Sequence, residues 1–249
     1  GGYPWRYYKV FDSLSQEDFF DQYYDFWQRL VPKEEKKALF SQNVLNQIDL
    51  DAPRKVFERV FTFNDKLKYD TPQDHINNSL YFEIKTFLPG LFLVGDKLSM
   101  AHGLEERFPF MDNDLVDFAM QVPVEHKLGD LKKEIDKIDE NVESKKKAYC
   151  EHHDGKNVLR KAMQDYIPEQ ILNRKKQGFS APDENWYRGE NADYIKEILL
   201  HSDTICTEYI NEDYIKKIVY EHLNEEKNHR LLIWSFLNFE WWCRIFLKN

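Results

Sequence analysis

Apolar residues return every three to four positions over most of the chain, the spacing of helices with one buried face. In QEDFFDQYYDFWQRL, Phe19, Tyr23, Phe26 and Leu30 share a side, with Ser15 as cap and Pro32 as stop. APRKVFERVFTF predicts a helix with Val56, Val60 and Phe61 inward. Thr71 followed by Pro72 starts a helix over PQDHINNSLYFEIKTF, which Pro89 and Gly90 are expected to break. A short helix over GDKLSMAHG then ends at Gly103, and Asp96 near its start reads as a cap that favours the helix dipole. Asp112 caps NDLVDFAMQV ahead of Pro123. Further helices are expected over GKNVLRKAMQDYI up to Pro168, over EQILNRK, over residues 192–201 and 212–225, and over the closing HRLLIWSFLNFEWWCRIFL. No stretch alternates convincingly as a strand, no segment repeats, and the pattern predicts a mainly α chain.

Residues 129–153, GDLKKEIDKIDENVESKKKAYCEHH, depart from this pattern. Leu131, Ile135 and Ile138 are isolated among charges, which predicts a solvated helix or a mobile insertion. The 249 residues suffice for one large domain or two small ones, and the 15% of aromatic residues supply much of a core. A net charge of −9 argues against a nucleic-acid partner. Cys150, Cys206 and Cys243 are odd in number and widely spaced, so a reducing cytoplasm is expected rather than a disulfide framework. No apolar run reaches the roughly 18 residues of a bilayer span, so no membrane association is expected. GGYPWRYYKV carries neither a signal-peptide core nor an initiator Met, which suggests a piece of a longer chain.

Candidate chemistry sits in two places. Glu105, Glu106 and Arg107 are consecutive, ahead of Pro109. In an extended stretch Glu105 and Arg107 point to the same side, where a carboxylate and a guanidinium can pair; Glu106 then faces solvent. The pair either pins the loop to a helix or contacts a ligand. Arg174, Lys175 and Lys176 precede Gly178 and form either a cationic helix end or a grip on phosphate. His152, His153 and Asp154 lack metal-ligand spacing and read as a surface patch, so no metal site is expected. FLNFEWW reads as core rather than a membrane or base-stacking surface. There is no GxGxxG, GxxxxGK[ST] or SGGxDS phosphate loop.

Four stretches together resemble one family. LSMAHGLEERFPFMDNDLVDFAMQVP is similar to SMAxxLExRxPFLDxxLVxxAxxLP, and GKNVLRKAMQDYIPEQILNRKKQGFSAP to KxxLRxAxxxxLPxxIxxRxKxGFxxP. LLIWSFLNFEWWCRIF is similar to LWxLLNxExWxRxF, and GGYPWRYY to the tail of GGDELFGGYxRY. These are motifs of the glutamine-dependent asparagine synthase family. The resemblance implies that residues 1–249 are the helical C-terminal part of a synthetase domain, an α/β, Rossmann-like fold of the PP-loop ATP pyrophosphatase type. The glutaminase domain and the pyrophosphate loop would lie outside it. It implies ATP and Mg2+, bound mainly by the missing N-terminal part, as well as aspartate or a related carboxylate and ammonia from a glutaminase domain. A homodimer is among the assemblies it allows. The chain alone is expected to be inactive.

By the same resemblance Lys176 is the catalytic cation facing phosphate, in a loop shaped by Arg174, Gln177, Gly178 and Phe179. Glu105 and Arg107 match LExR and brace the ligand-facing loop; Gly1, Gly2 and Tyr3 end the substrate-side turn. Lys156 and Arg160 match KxxLR, whose role is structural or ligand-proximal, and Asp96 matches the Asp of DRxSM and is counted with Lys156 among the residues near ATP, phosphate or substrate. Val94 stands where many members carry Lys or Arg, and Gly90 and Leu91 where many carry acidic residues. Those departures keep a ligase for another carboxylate open, and a non-catalytic helical module is the third reading.

Overall fold

A computed structural model describes residues 10, 13–28, 30–128, 155–174, 187, 189 and 191–247. The charged block 129–153 and the loop KQGFSAP lie outside the described residues. The fold is mainly helical, as the periodicity predicts. Pairing between extended segments among the described residues is confined to isolated bridges, Phe40 with Ile210 and Leu128 with Gly155. The chain divides into two units, Gly1–Phe26 with Arg54–Gln177, and Trp27–Pro53 with Gly178–Asn249.

The first unit is built on aromatic packing. Helix α1, Gln16–Trp27, buries Phe19, Phe20, Tyr23 and Phe26. Helix α2, Ala52–Thr62, buries Phe57 and Phe61. Helix α3, Pro72–Phe82, adds Ile76 and Phe82 together with the polar His75, Asn78 and Ser79. Phe61 stacks on Phe82 at 5.5 Å, and Tyr23 meets Phe82 edge-on at 5.5 Å, arrangements that satisfy the ring quadrupoles. The buried Tyr23 hydroxyl donates to the Ser79 carbonyl at 3.2 Å. Arg54 fans out to Asp21 at 2.7 Å, to Glu17 at 3.0 Å and to Glu58 one turn on, tying α2 to α1.

Two inward assignments change. Leu30 lies beyond the last turn of α1 and is 45% exposed, and Phe20 joins the core instead. On α2 the larger rings of Phe57 and Phe61, one turn apart, take the core face, and Val56 is left 61% exposed.

Thr71 starts α3 as expected. Its hydroxyl accepts from the Asp74 N–H at 3.2 Å, and the Asp74 carboxylate accepts from the Thr71 N–H at 2.9 Å. The predicted break at Pro89 and Gly90 does not occur. The helix widens into a π turn over Glu83–Phe87 and continues as α4, Leu88–Met100. The wider turn makes room for the ring of Pro89, and the Thr86 hydroxyl supplies a donor to the Phe82 carbonyl at 2.7 Å. Gly103, at φ +68°, turns the chain out of the helix, and the Leu104 N–H closes on the Ser99 carbonyl at 3.0 Å. Helix α5, Asn113–Gln121, starts on the Asp112 carboxylate, which accepts from the Leu115 N–H at 3.1 Å. Neither α4 nor α5 buries a residue, although Leu91, Leu93, Val94, Leu98 and Phe118 are more than half exposed on them. Helix α6, Asn157–Met163, follows Lys156, whose φ of 62° is uncommon for a non-glycine residue.

In the second unit α7, Ala192–Leu199, α8, Glu212–Leu223, and α9, Arg230–Phe246, pack together. Their core is aliphatic, with Ile195, Ile198, Ile215, Ile218, Ile233 and Leu237 at its centre. FLNFEWW divides: Phe236 and Leu237 are buried, whereas Trp241 and Trp242 remain 42% and 47% exposed. Inside this core lies Glu240, with no solvent exposure. It accepts from the backbone N–H groups of Ile205 at 3.1 Å and Cys206 at 2.7 Å, and from Arg244 Nε at 2.6 Å. Burial alone would raise its pKa; the Arg244 and backbone donors outweigh burial and hold it below the usual glutamate range.

Candidate active site

The loop between α4 and the 3-10 turn Pro109–Met111 carries the first group of predicted residues. Glu105 Oε1 and Arg107 Nη2 lie 2.6 Å apart, both side chains largely exposed, so the pair shares one side of an extended stretch as expected. Neither pins the loop to a helix among the described residues. That task falls to Glu106, which was expected to face solvent. Its carboxylate turns inward, is partly buried, and accepts from the Ser99 hydroxyl of α4 at 2.9 Å. The seat is open because residue 95 is glycine: a Cβ there would stand 2.5 Å from Glu106 Oε2. The Phe92 and Phe108 rings, 4.4 Å apart, hold the far end of the same loop to α4.

Asp96 is not a helix cap. Because α4 begins at Leu88, Asp96 lies in its interior and is exposed. Lys156 is exposed directly before α6. Arg160 Nε donates to the Gly155 carbonyl at 3.2 Å, and its Nη1 donates to the Leu172 carbonyl, so it clips the two ends of the segment that leads to Arg174. Arg174 itself is exposed, its N–H donating to the Ile171 carbonyl at 3.3 Å. Lys176, Gln177, Gly178, Gly1 and Gly2 lie outside the described residues.

The structure therefore joins Glu105 to Arg107, and Glu106 to Ser99, on one α4–loop element. Among the described residues no group of three His, Cys, Asp or Glu side chains could hold a metal ion, so no Mg2+ step is assigned to them. No helix among them is long and apolar enough to cross a membrane. Two features escaped the sequence reading: the inward Glu106 and the buried Glu240. Glu240 and Arg244, spaced i and i+4 in a mainly apolar helix, were the available signal for the second. Nothing in the residue pattern distinguished Glu106.

The described residues thus form a helical region with a charged loop braced on one helix. Residues 1–244 match the family model described as asparagine synthase, and the chain belongs to that family. It is 31% identical over 175 residues to asparagine synthetase [glutamine-hydrolyzing] 1 of Bacillus subtilis, covering 70% of this chain and 24% of that protein. It is 26% identical over 207 residues to asparagine synthetase [glutamine-hydrolyzing] 3 of the same organism, covering 82% and 28%. It is also 26% identical over 126 residues to the amidase chry2 of Gibberella zeae, covering 50% and 16%. The chain thus spans about a quarter of the asparagine synthetases it matches. No solved structure matches it.

Proposed function

We propose that the chain is the helical part of an ATP-dependent synthetase domain that makes asparagine. The observation that carries this reading is the family match over residues 1–244. The unburied apolar residues of α4 and α5 support the view that it works within a larger domain: surfaces of this kind mark interaction sites.

In this reading an oxygen of the aspartate side-chain carboxylate attacks the α-phosphorus of ATP, and pyrophosphate leaves. The product is a mixed anhydride, aspartyl-AMP. Ammonia released from glutamine attacks its acyl carbon, the C–O bond breaks with its electron pair going to AMP, and the nitrogen loses a proton to give the amide. Lys176 is the mobile cation that meets the negative charge growing on the phosphoryl oxygens in both steps, acting by charge rather than as a base. Arg107, paired with Glu105 on an exposed loop, presents a guanidinium of set orientation to an anionic ligand.

A second acceptor carboxylate has specific support. Val94, Gly90 and Leu91 depart from the family pattern on the segment leading to this loop, and the chain also matches two fungal amidases. Pyrophosphate release from ATP by the complete protein, assayed with aspartate and with other carboxylic acids in turn, tests both readings. Aspartate-dependent release with asparagine as product supports the first. Release with another acid alone supports the second. Release with none contradicts both.

A further inference from the structure

We infer that Glu106 is the positioning residue of the ligand-facing loop, and that Gly95 is the complementary residue that lets it act. The functional part of this inference rests on the reading of the loop given above. In an extended stretch successive side chains face opposite ways. Seating Glu106 on α4 therefore turns Glu105 and Arg107 outward together, the orientation in which they meet at 2.6 Å. The seat has two halves. Ser99 supplies the donor at 2.9 Å. Gly95, one turn earlier on the same helix, supplies the space, since a Cβ would come within 2.5 Å of Glu106 Oε2. A glycine inside a helix costs stability relative to alanine; a Cβ on Gly90 of the same helix would meet open space, so the close approach is particular to Gly95.

The inference makes opposite demands on helix and loop, and G95A separates them. Alanine favours the helix but displaces Glu106 Oε2, the end of a flexible side chain, so the carboxylate shifts on its seat. In the 249-residue chain, backbone 15N order parameters at Glu105–Arg107 are expected to fall from about 0.85 to below about 0.6 in E106A and by a smaller amount in G95A, with the melting temperature of G95A not lowered. In E106A there is no carboxylate left to displace, so adding G95A changes the loop no further. E106Q, whose amide oxygen still accepts from Ser99, retains most of the order. Unchanged order parameters in E106A, or additive effects of the two substitutions, overturn the latch. In the complete protein the same E106A substitution raises the KM of an anionic substrate about tenfold and leaves kcat within about twofold, the signature of lost ground-state binding. A disordered loop with unchanged KM overturns the positioning role and leaves the latch standing. If the unmodified protein releases no pyrophosphate, the functional reading fails, and the order parameters still decide the latch.

Discussion

Glu240 and Arg244 meet one helical turn apart inside the second unit, where Arg244 Nε donates to Glu240 Oε1 at 2.6 Å and Glu240 has no exposure to solvent. The same carboxylate accepts from the N–H groups of Ile205 and Cys206, so one side chain fixes the 3-10 turn Ile205–Glu208 to α9. Without Arg244 the buried Glu240 carboxylate keeps two backbone donors but loses its countercharge, and without Glu240 those two N–H groups lose their acceptor. R244A or E240A is expected to destabilise the fold by about 3–5 kcal/mol. Urea unfolding followed by tryptophan fluorescence measures it.

The same carboxylate makes stability depend on pH. Its folded pKa is depressed, because the Arg244 and backbone donors prevail over the burial that would raise it. A depressed carboxyl stabilises fully above its unfolded value, about 4.3, and loses that contribution as pH falls through the folded value. The urea midpoint should fall with acidification below about pH 4.3 by more in the unmodified chain than in E240Q. Parallel curves for the two would remove Glu240 from the acid response.

Cys206 is wholly buried, and burial first, then the Glu240 carboxylate beside it, pushes its thiol far above the ordinary range. Cys243 is also fully buried, and burial raises it in the same direction. Neither thiol should react with iodoacetamide at pH 8 while the chain is folded, and both should react in urea. Peptide mass mapping of the labelled sites distinguishes them from Cys150.

On α2, F57A is expected to cost about 3–5 kcal/mol, because it empties a ring site packed against Phe61 and Phe82. V56A, one position earlier and 61% exposed, should change stability by no more than about 0.5 kcal/mol. Thermal or urea unfolding of the two variants tests which residue faces the core.

These residues also show what the sequence could and could not disclose. Helical spacing placed Phe19, Tyr23, Phe26 and Phe61 in the core, and cap chemistry located the starts at Thr71 and Asp112. Periodicity leaves the rotation of a short apolar helix loose by one position, and ring packing decided it for Phe57 over Val56. Pro89 read as a break because the local rule for proline takes no account of a π turn just ahead of it. At the loop, alternation placed Glu105 and Arg107 on one side. Which side faced the protein depended on a donor seven residues back and an empty Cβ position eleven back, and a pattern reading does not register either. Glu240 was hidden for a related reason: its partners at Ile205 and Cys206 are 35 and 34 residues away.

The proposed reaction is ATP-dependent activation of a carboxylate with Lys176 as the phosphate-facing charge. The most direct measurement is carboxylate-dependent pyrophosphate release from ATP by the complete protein and by its K176A variant. The account predicts release that falls about 100- to 1,000-fold in K176A, the loss seen when a preorganised charge stabiliser is removed. A K176A rate within a few-fold of the unmodified protein, or no carboxylate-dependent release at all, would contradict it.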